Sequence, residues 1–124
     1  MKKLLPILIL ALIPFALWAK SQAKIEFTEK TYNFGTIPEN GGKVSHSFTF
    51  TNKGDANLVI MDAYADCGCT VPEFPKQPIK PGGTGTIKVT YNPQYRPGPF
   101  VKNITVKSNA SNKKVVVKIS GTVK

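Results

Sequence analysis

Both cysteines of the chain fall within one hexapeptide, Ala65-Asp66-Cys67-Gly68-Cys69-Thr70, separated by a single glycine. Thiols at that spacing can form a local disulfide, exchange disulfides with another molecule, or ligate a soft metal ion. Two extended residues set the Cα atoms about 6.6–7.2 Å apart, at or beyond the upper edge for a disulfide, so closure needs a bend. Gly68 can supply it, because glycine reaches positive φ at little steric cost. So small a ring removes only about 1.6 kcal/mol of unfolded-chain entropy, which makes a weak structural link. Redox work is opposed by Asp66, since reactive cysteines sit in electropositive surroundings. As metal ligands, Cys67 and Cys69 would suit Cu(I) or half of a tetrahedral zinc site. Further ligands are scarce: His46 is the single histidine, with Met61 and Asp66 close in sequence. The local disulfide leads, the other two readings stay open, and no resident cofactor is expected.

Which chemistry is available depends on the compartment. Met1-Lys2-Lys3 is a short positive start, Leu4 to Leu17 is apolar and interrupted by Pro6 and Pro14, and Ser21-Gln22-Ala23 places small residues at the two positions a signal peptidase reads. Charge, apolar run and small-residue site in that order form a secretory leader. The apolar run is shorter than the roughly 20 residues of a spanning helix. The expected cut lies between Ala23 and Lys24, which makes 1–23 the leader and 24–124 the domain, with no stable membrane span after cleavage. The destination is the periplasm rather than the medium, and disulfides persist there.

The formal net charge of +10 falls by three with Lys2, Lys3 and Lys20, to +7. The remaining lysines are dispersed, with one adjacent pair at Lys113-Lys114. Without an arginine-aromatic cluster, that pattern reads as a solvated surface and not a nucleic-acid footprint. Enzymatic signals are weak. His46 lies between Ser45 and Ser47, but neighbours on a strand point to opposite faces. Pro81-Gly82-Gly83-Thr84-Gly85 lacks the lysine and helix of a phosphate loop. No catalytic residue is assigned, and the chain is not expected to be an enzyme.

The elements that must hold the cysteines are strands. Val44, His46, Phe48 and Phe50 alternate with Ser45, Ser47, Thr49 and Thr51. The same period of two returns at Ile87, Val89, Tyr91 and at Val115, Val117, Ile119, placing each set on one face. Shorter apolar runs occupy Ile25 to Phe34, Leu58 to Ala63 and Phe100 to Lys107, and turn-forming clusters separate them. About seven short antiparallel strands in some hundred residues predict an all-β sandwich of immunoglobulin-like architecture. Its core is assigned to Phe27, Phe34, Phe48, Phe50, Ile60, Ile87, Val89, Ile104, Val106 and Val117. Cys67 and Cys69 fall in a loop after the strand carrying Leu58 and Ile60, and are expected near the surface at one end.

The succession Phe34-Gly35-Thr36-Ile37, Phe48-Thr49-Phe50-Thr51-Asn52-Lys53-Gly54, Cys67-Gly68-Cys69-Thr70, Ile79-Lys80-Pro81-Gly82 and Ile119-Ser120-Gly121 resembles a bacterial family known as domain of unknown function 1573. The resemblance spans nearly all of 25–121. It implies an immunoglobulin-like domain akin to the abnormal-spindle, hydin and major sperm protein type, in an exported protein of the cell envelope. It implies no activity. The expected role is a non-enzymatic envelope module binding an unidentified protein, with a small thiol protein using Cys67 and Cys69 as the alternative.

Overall fold

The computed structural model describes residues 20–124; the leader assigned to 1–23 lies, over 1–19, outside the described residues. Eight strands are present: β1 (Ile25–Phe27), β2 (Thr31–Ile37), β3 (Val44–Asn52), β4 (Ile60–Ala65), β5 (Thr70–Glu73), β6 (Thr84–Tyr91), β7 (Gly98–Ser108) and β8 (Lys114–Val123). They form two four-stranded sheets, ordered β1-β3-β6-β5 and β2-β8-β7-β4. All pairs are antiparallel except β2 with β8, which run parallel.

Two differences from the sequence reading have physical causes. The run Ile25 to Phe34 is two strands in different sheets. Thr28 N–H still donates to Thr49 O (2.9 Å), but Lys30 O already accepts from Lys118 N–H (2.8 Å), so the chain crosses between sheets over three residues. The short β5 lies outside the apolar runs read as strands; it carries Pro72 and sits on a sheet edge, where proline is tolerated.

The alternating residues pack between the sheets. Phe48, Phe50, Ile87, Val89, Ile104, Val117 and Ile119 are fully buried, while Lys88 and Lys118 are exposed. Phe34 is only partly buried against this cluster. Each sheet pairs a phenylalanine with a glycine directly across the ladder, Phe50 with Gly85 and Phe100 with Gly121. A Cβ on Gly85 would stand 2.6 Å from Phe50 Cζ, and one on Gly121 would stand 2.8 Å from Phe100 Cζ. The rings lie in the space a side chain would fill, so any register that put another residue there would collide.

One polar side chain is fully buried among these residues. Asn52 Oδ1 accepts from Lys24 N–H (3.2 Å) and Gly54 N–H (3.0 Å), and its Nδ2 donates to Ala56 O (2.8 Å) and Ile79 O (3.0 Å). Its backbone donates to Gly83 O (2.9 Å) and accepts from Gly82 N–H (2.8 Å). Deleting this amide would take the partner from Lys24 N–H, Gly54 N–H and Ala56 O, each loss costing about 1–3 kcal/mol where water cannot reach. Ile79 O would keep its bond from Leu58 N–H (2.8 Å). Asn52→Ala is therefore expected to destabilise the domain by about 3–5 kcal/mol in urea unfolding. Asn52→Asp should also be impaired, because a carboxylate cannot donate to Ala56 O and Ile79 O.

Candidate functional site

The cysteines sit where the chain leaves one sheet and enters the other. β4 ends at Ala65 on the edge of the second sheet, β5 begins at Thr70 on the edge of the first, and Asp66–Cys69 bridge them. Thr70 N–H donates to Cys67 O (3.1 Å), closing a four-residue turn, and Cys69 N–H points at Cys67 Sγ (3.1 Å). The two sulfurs are joined, with the Cα atoms 5.2 Å apart. The bend expected at Gly68 exists, but Gly68 makes it without a positive φ, and a Cβ there would meet nothing within 4 Å. The turn fold, and not left-handed backbone, brings Cys67 and Cys69 together.

The expectation that both cysteines lie near the surface holds for neither fully. Cys69 is buried and belongs to the core, and Cys67 is half-buried against it. Cys69 O accepts from Asn92 N–H (2.9 Å), and its Sγ lies 3.4 Å from Thr70 Oγ1, so the turn is pulled in against β6 instead of projecting from the sandwich end. Beside it runs a shallow groove lined by Lys43, Gly68, Cys69, Val71, Glu73, Thr90 and Asn92. Behind the groove Tyr91 stacks on Phe100 at 4.0 Å, and burial pushes its phenol above the ordinary value despite the opposing pull of Arg96.

His46 is not brought to the cysteines as a ligand. Its Nε2 lies 2.7 Å from Glu29 Oε2, and its ring stacks on Tyr32 at 3.7 Å. Ser45 faces away and bonds Thr90 Oγ1 (2.9 Å). Among the described residues no cluster of three or more histidine, cysteine, aspartate or glutamate side chains is placed to hold a metal. Pro81-Gly82-Gly83 is a turn: Gly82 has φ +80°, and Gly83 N–H donates to Lys80 O (2.8 Å).

Sequence reasoning passed over the apolar surface around the turn. Met61 is 62% exposed, Val71 53% and Tyr64 40%, on the two strands that flank it. Both of those strands resist pairing with a further strand. β5 is four residues long and carries Pro72; β4 has a register shift between Ile60 and Asp62, and the Asp62 carboxylate accepts from Ala63 N–H (2.9 Å). These are devices that blunt a sheet edge.

Two four-stranded sheets joined by crossing connections, with β2 and β8 running parallel and, among the described residues, no disulfide between the sheets, define an immunoglobulin-like sandwich. A human CEP192 ASH/PapD-like domain superposes with TM-score 0.61 at 12% identity, over 96% of this chain and 98% of that one. The YadV chaperone gives 0.58 at 15%, over 82% and 52%. A protein of unknown function from Porphyromonas gingivalis W83 gives 0.74 at 16%, over 87% of this chain; the chain spans 50% of that protein's length. At these identities the likeness is one of fold. The chain belongs to the family described as Protein of unknown function (DUF1573), whose model matches residues 25–123. Among curated proteins no similar sequence is found.

Because the ring closed by Cys67 and Cys69 is tiny and Gly68 is free of steric demand, Gly68→Ala is expected to leave the disulfide intact and stability within about 0.5 kcal/mol. Reducing the bond in the native protein is expected to lower stability by no more than about 1.6 kcal/mol, read from paired denaturant curves with and without dithiothreitol.

Proposed function

We propose that the chain is an exported, non-enzymatic module of the cell envelope that holds a protein partner against the flank formed by β4, the Cys67–Cys69 turn and β5. The observation that carries this reading is the exposure of Met61, Tyr64 and Val71 on that flank. Val71 lines the groove and Met61 and Tyr64 stand on the neighbouring edge strand β4; exposed apolar side chains of this kind offer the buried contact area that anchors a partner. Lys43 and Glu73 at the groove supply charges of both signs that can fix orientation without demanding a partner of high net charge. The blunted edges of β4 and β5 favour docking through side chains over addition of a strand. Export rests on the pattern of residues 1–23. Two proteins of similar fold are chaperones, YadV and E. coli DraB, an analogy at the level of fold.

A photo-crosslinking residue at Met61 or Val71 is expected to yield a discrete adduct in intact cells, and the same residue at the exposed Glu26 on β1 is expected to yield none. Val71→Glu should remove the Met61 adduct without changing the melting temperature. Equal labelling from all three positions, or none from any, would reject the flank as an interface.

The unequal burial of the cysteines favours a second reading, disulfide exchange with a protein dithiol. One thiolate of the dithiol attacks Cys67 Sγ, the Cys67–Cys69 bond breaks, and Cys69 leaves as a thiolate that takes a proton. The second thiol then displaces Cys67 from the mixed disulfide, so two electrons pass from the dithiol to the protein. The reduced pair would also present two sulfurs to a soft ion such as Cu(I). Replacing both cysteines by serine separates the readings: a partner-binding module keeps its adduct, whereas an exchange protein loses its mixed disulfide.

A further inference from the structure

β4 covers only part of β7. Their ladder runs from Ile60 with Ser108 to Ala65 with Ile104, whereas β8 pairs with β7 from Lys107 back to Gly98. From Gly98 to Asn103 the β4 side of β7 is therefore bare, and among the described residues no loop backbone group bonds to it. Ser108 N–H donates to Lys113 O, on the β8 side, and the β7–β8 register is unbroken. Successive residues turn their N–H and C=O groups to opposite sides, so those of Val101 and Asn103, with the C=O of Pro99, point to the bare side. The missing N–H of Pro99 falls there too and takes no bond from the β8 ladder.

A shallow groove follows this edge, with the stacked rings of Tyr91 and Phe100 at its floor. Lys102 takes the inward position of β7 between buried Phe100 and Ile104 and is half-buried, so its stem packs while its ammonium reaches toward the groove. Arg96, from the loop between β6 and β7, lines the same groove, and no acidic side chain does. Asp66, which follows Ala65, is exposed and lies outside the lining. The loop is held in one shape: Tyr95 N–H donates to Glu39 Oε2 (3.1 Å) and Gln94 N–H donates to Asn92 Oδ1 (3.1 Å). Tyr95 has φ +65°, a costly conformation for a tyrosine, and its ring is left 82% exposed at the groove.

We infer that the bare edge of β7 takes an extended acidic segment of a protein partner, added as a strand that continues the line of β4. The free N–H and C=O groups supply main-chain bonds, and the side chains choose the sequence. Alternate residues of an added strand point inward. Those beside Phe100 and Lys102 face the two cations, and the residue between them stands against Val101, which is 60% exposed. The pattern that fits is acid, apolar, acid. An inward lysine at a sheet edge discourages indiscriminate pairing, so the residue that guards this edge also selects a carboxylate. Charges of one sign, with no acid in the lining, complement such a segment and oppose a basic one. The edge is separate from the side chains of the β4–β5 flank, and the inference stands apart from whatever that flank binds.

The probe is a short synthetic peptide alternating glutamate and valine, titrated at low salt into the purified, isotope-labelled protein. Saturable binding is expected, with slowed amide hydrogen exchange at Val101 and Asn103. Reversing both charges, Arg96→Glu with Lys102→Glu, is expected to weaken binding at least about tenfold, since attraction becomes repulsion. Val101→Pro removes a donor on the bare side without touching the β8 ladder, and is expected to weaken binding at an unchanged melting temperature. A lysine–valine peptide tests the charge on the unaltered protein and is expected not to bind. Failure of the glutamate peptide to bind, equal binding of the lysine peptide, or slowed exchange confined to β4 and β5 would overturn the inference. Dextran sulfate cannot form a strand; binding of it as tight as the peptide's, with exchange at Val101 and Asn103 unchanged by either, would reduce the site to a general anion surface and also overturn it.

Discussion

Much of the domain's end is organised by one buried amide. Asn52 gathers four backbone groups from three separate stretches: Lys24 at the entry to β1, Gly54 and Ala56 in the turn after β3, and Ile79 before β6. None of these stretches belongs to a regular ladder at the point where Asn52 meets it, and only Ile79 O has a second donor, the N–H of Leu58. A single side chain with two lone pairs and two N–H groups reaches all four, as burial demands. Asn112 repeats the device on the other side of the entering segment: its Nδ2 donates to Ile25 O (2.8 Å), and its Oδ1 accepts from Ile25 N–H (3.2 Å). The loops at this end are therefore held by amides in the role strands play elsewhere.

The opposite use of polar groups marks the β4–β5 flank. There the backbone is kept from pairing, by a proline on β5 and by a carboxylate turned onto its own strand on β4, while apolar side chains are left in solvent. The disulfide fits this scheme better as a local clip than as a brace. It joins neighbours that the turn hydrogen bond already brings together, and it spans no distance between the sheets. Its effect is to fix how the two flanking strands leave the turn.

The sandwich was legible from alternation because strands with one buried face leave a period-two record, and Phe48, Phe50, Ile87, Val89 and Val117 all lie where that record placed them. What the sequence concealed was contact between distant residues. Asn52 opens the turn-forming cluster Asn52-Lys53-Gly54-Asp55, and nothing local distinguishes a turn asparagine from a buried one. The parallel β2–β8 pair was hidden for the same reason, since parallel neighbours need not be adjacent in sequence. The cysteine turn was placed correctly between elements, yet its depth was misjudged. The pull of Asn92 on Cys69 O comes from residues more than twenty positions away.

The parallel pairing of β2 with β8 bears on how the molecule would respond to tension. Their registers run from Thr31 with Lys118 to Ile37 with Val123, and the chain enters β2 and leaves β8 at opposite ends of the ladder. Once the three-residue β1 has come away, a pull on the two ends slides these strands along one another instead of peeling them apart. The ladder hydrogen bonds then share the load and must fail together, so the geometry resists stretching more than its modest number of bonds would indicate.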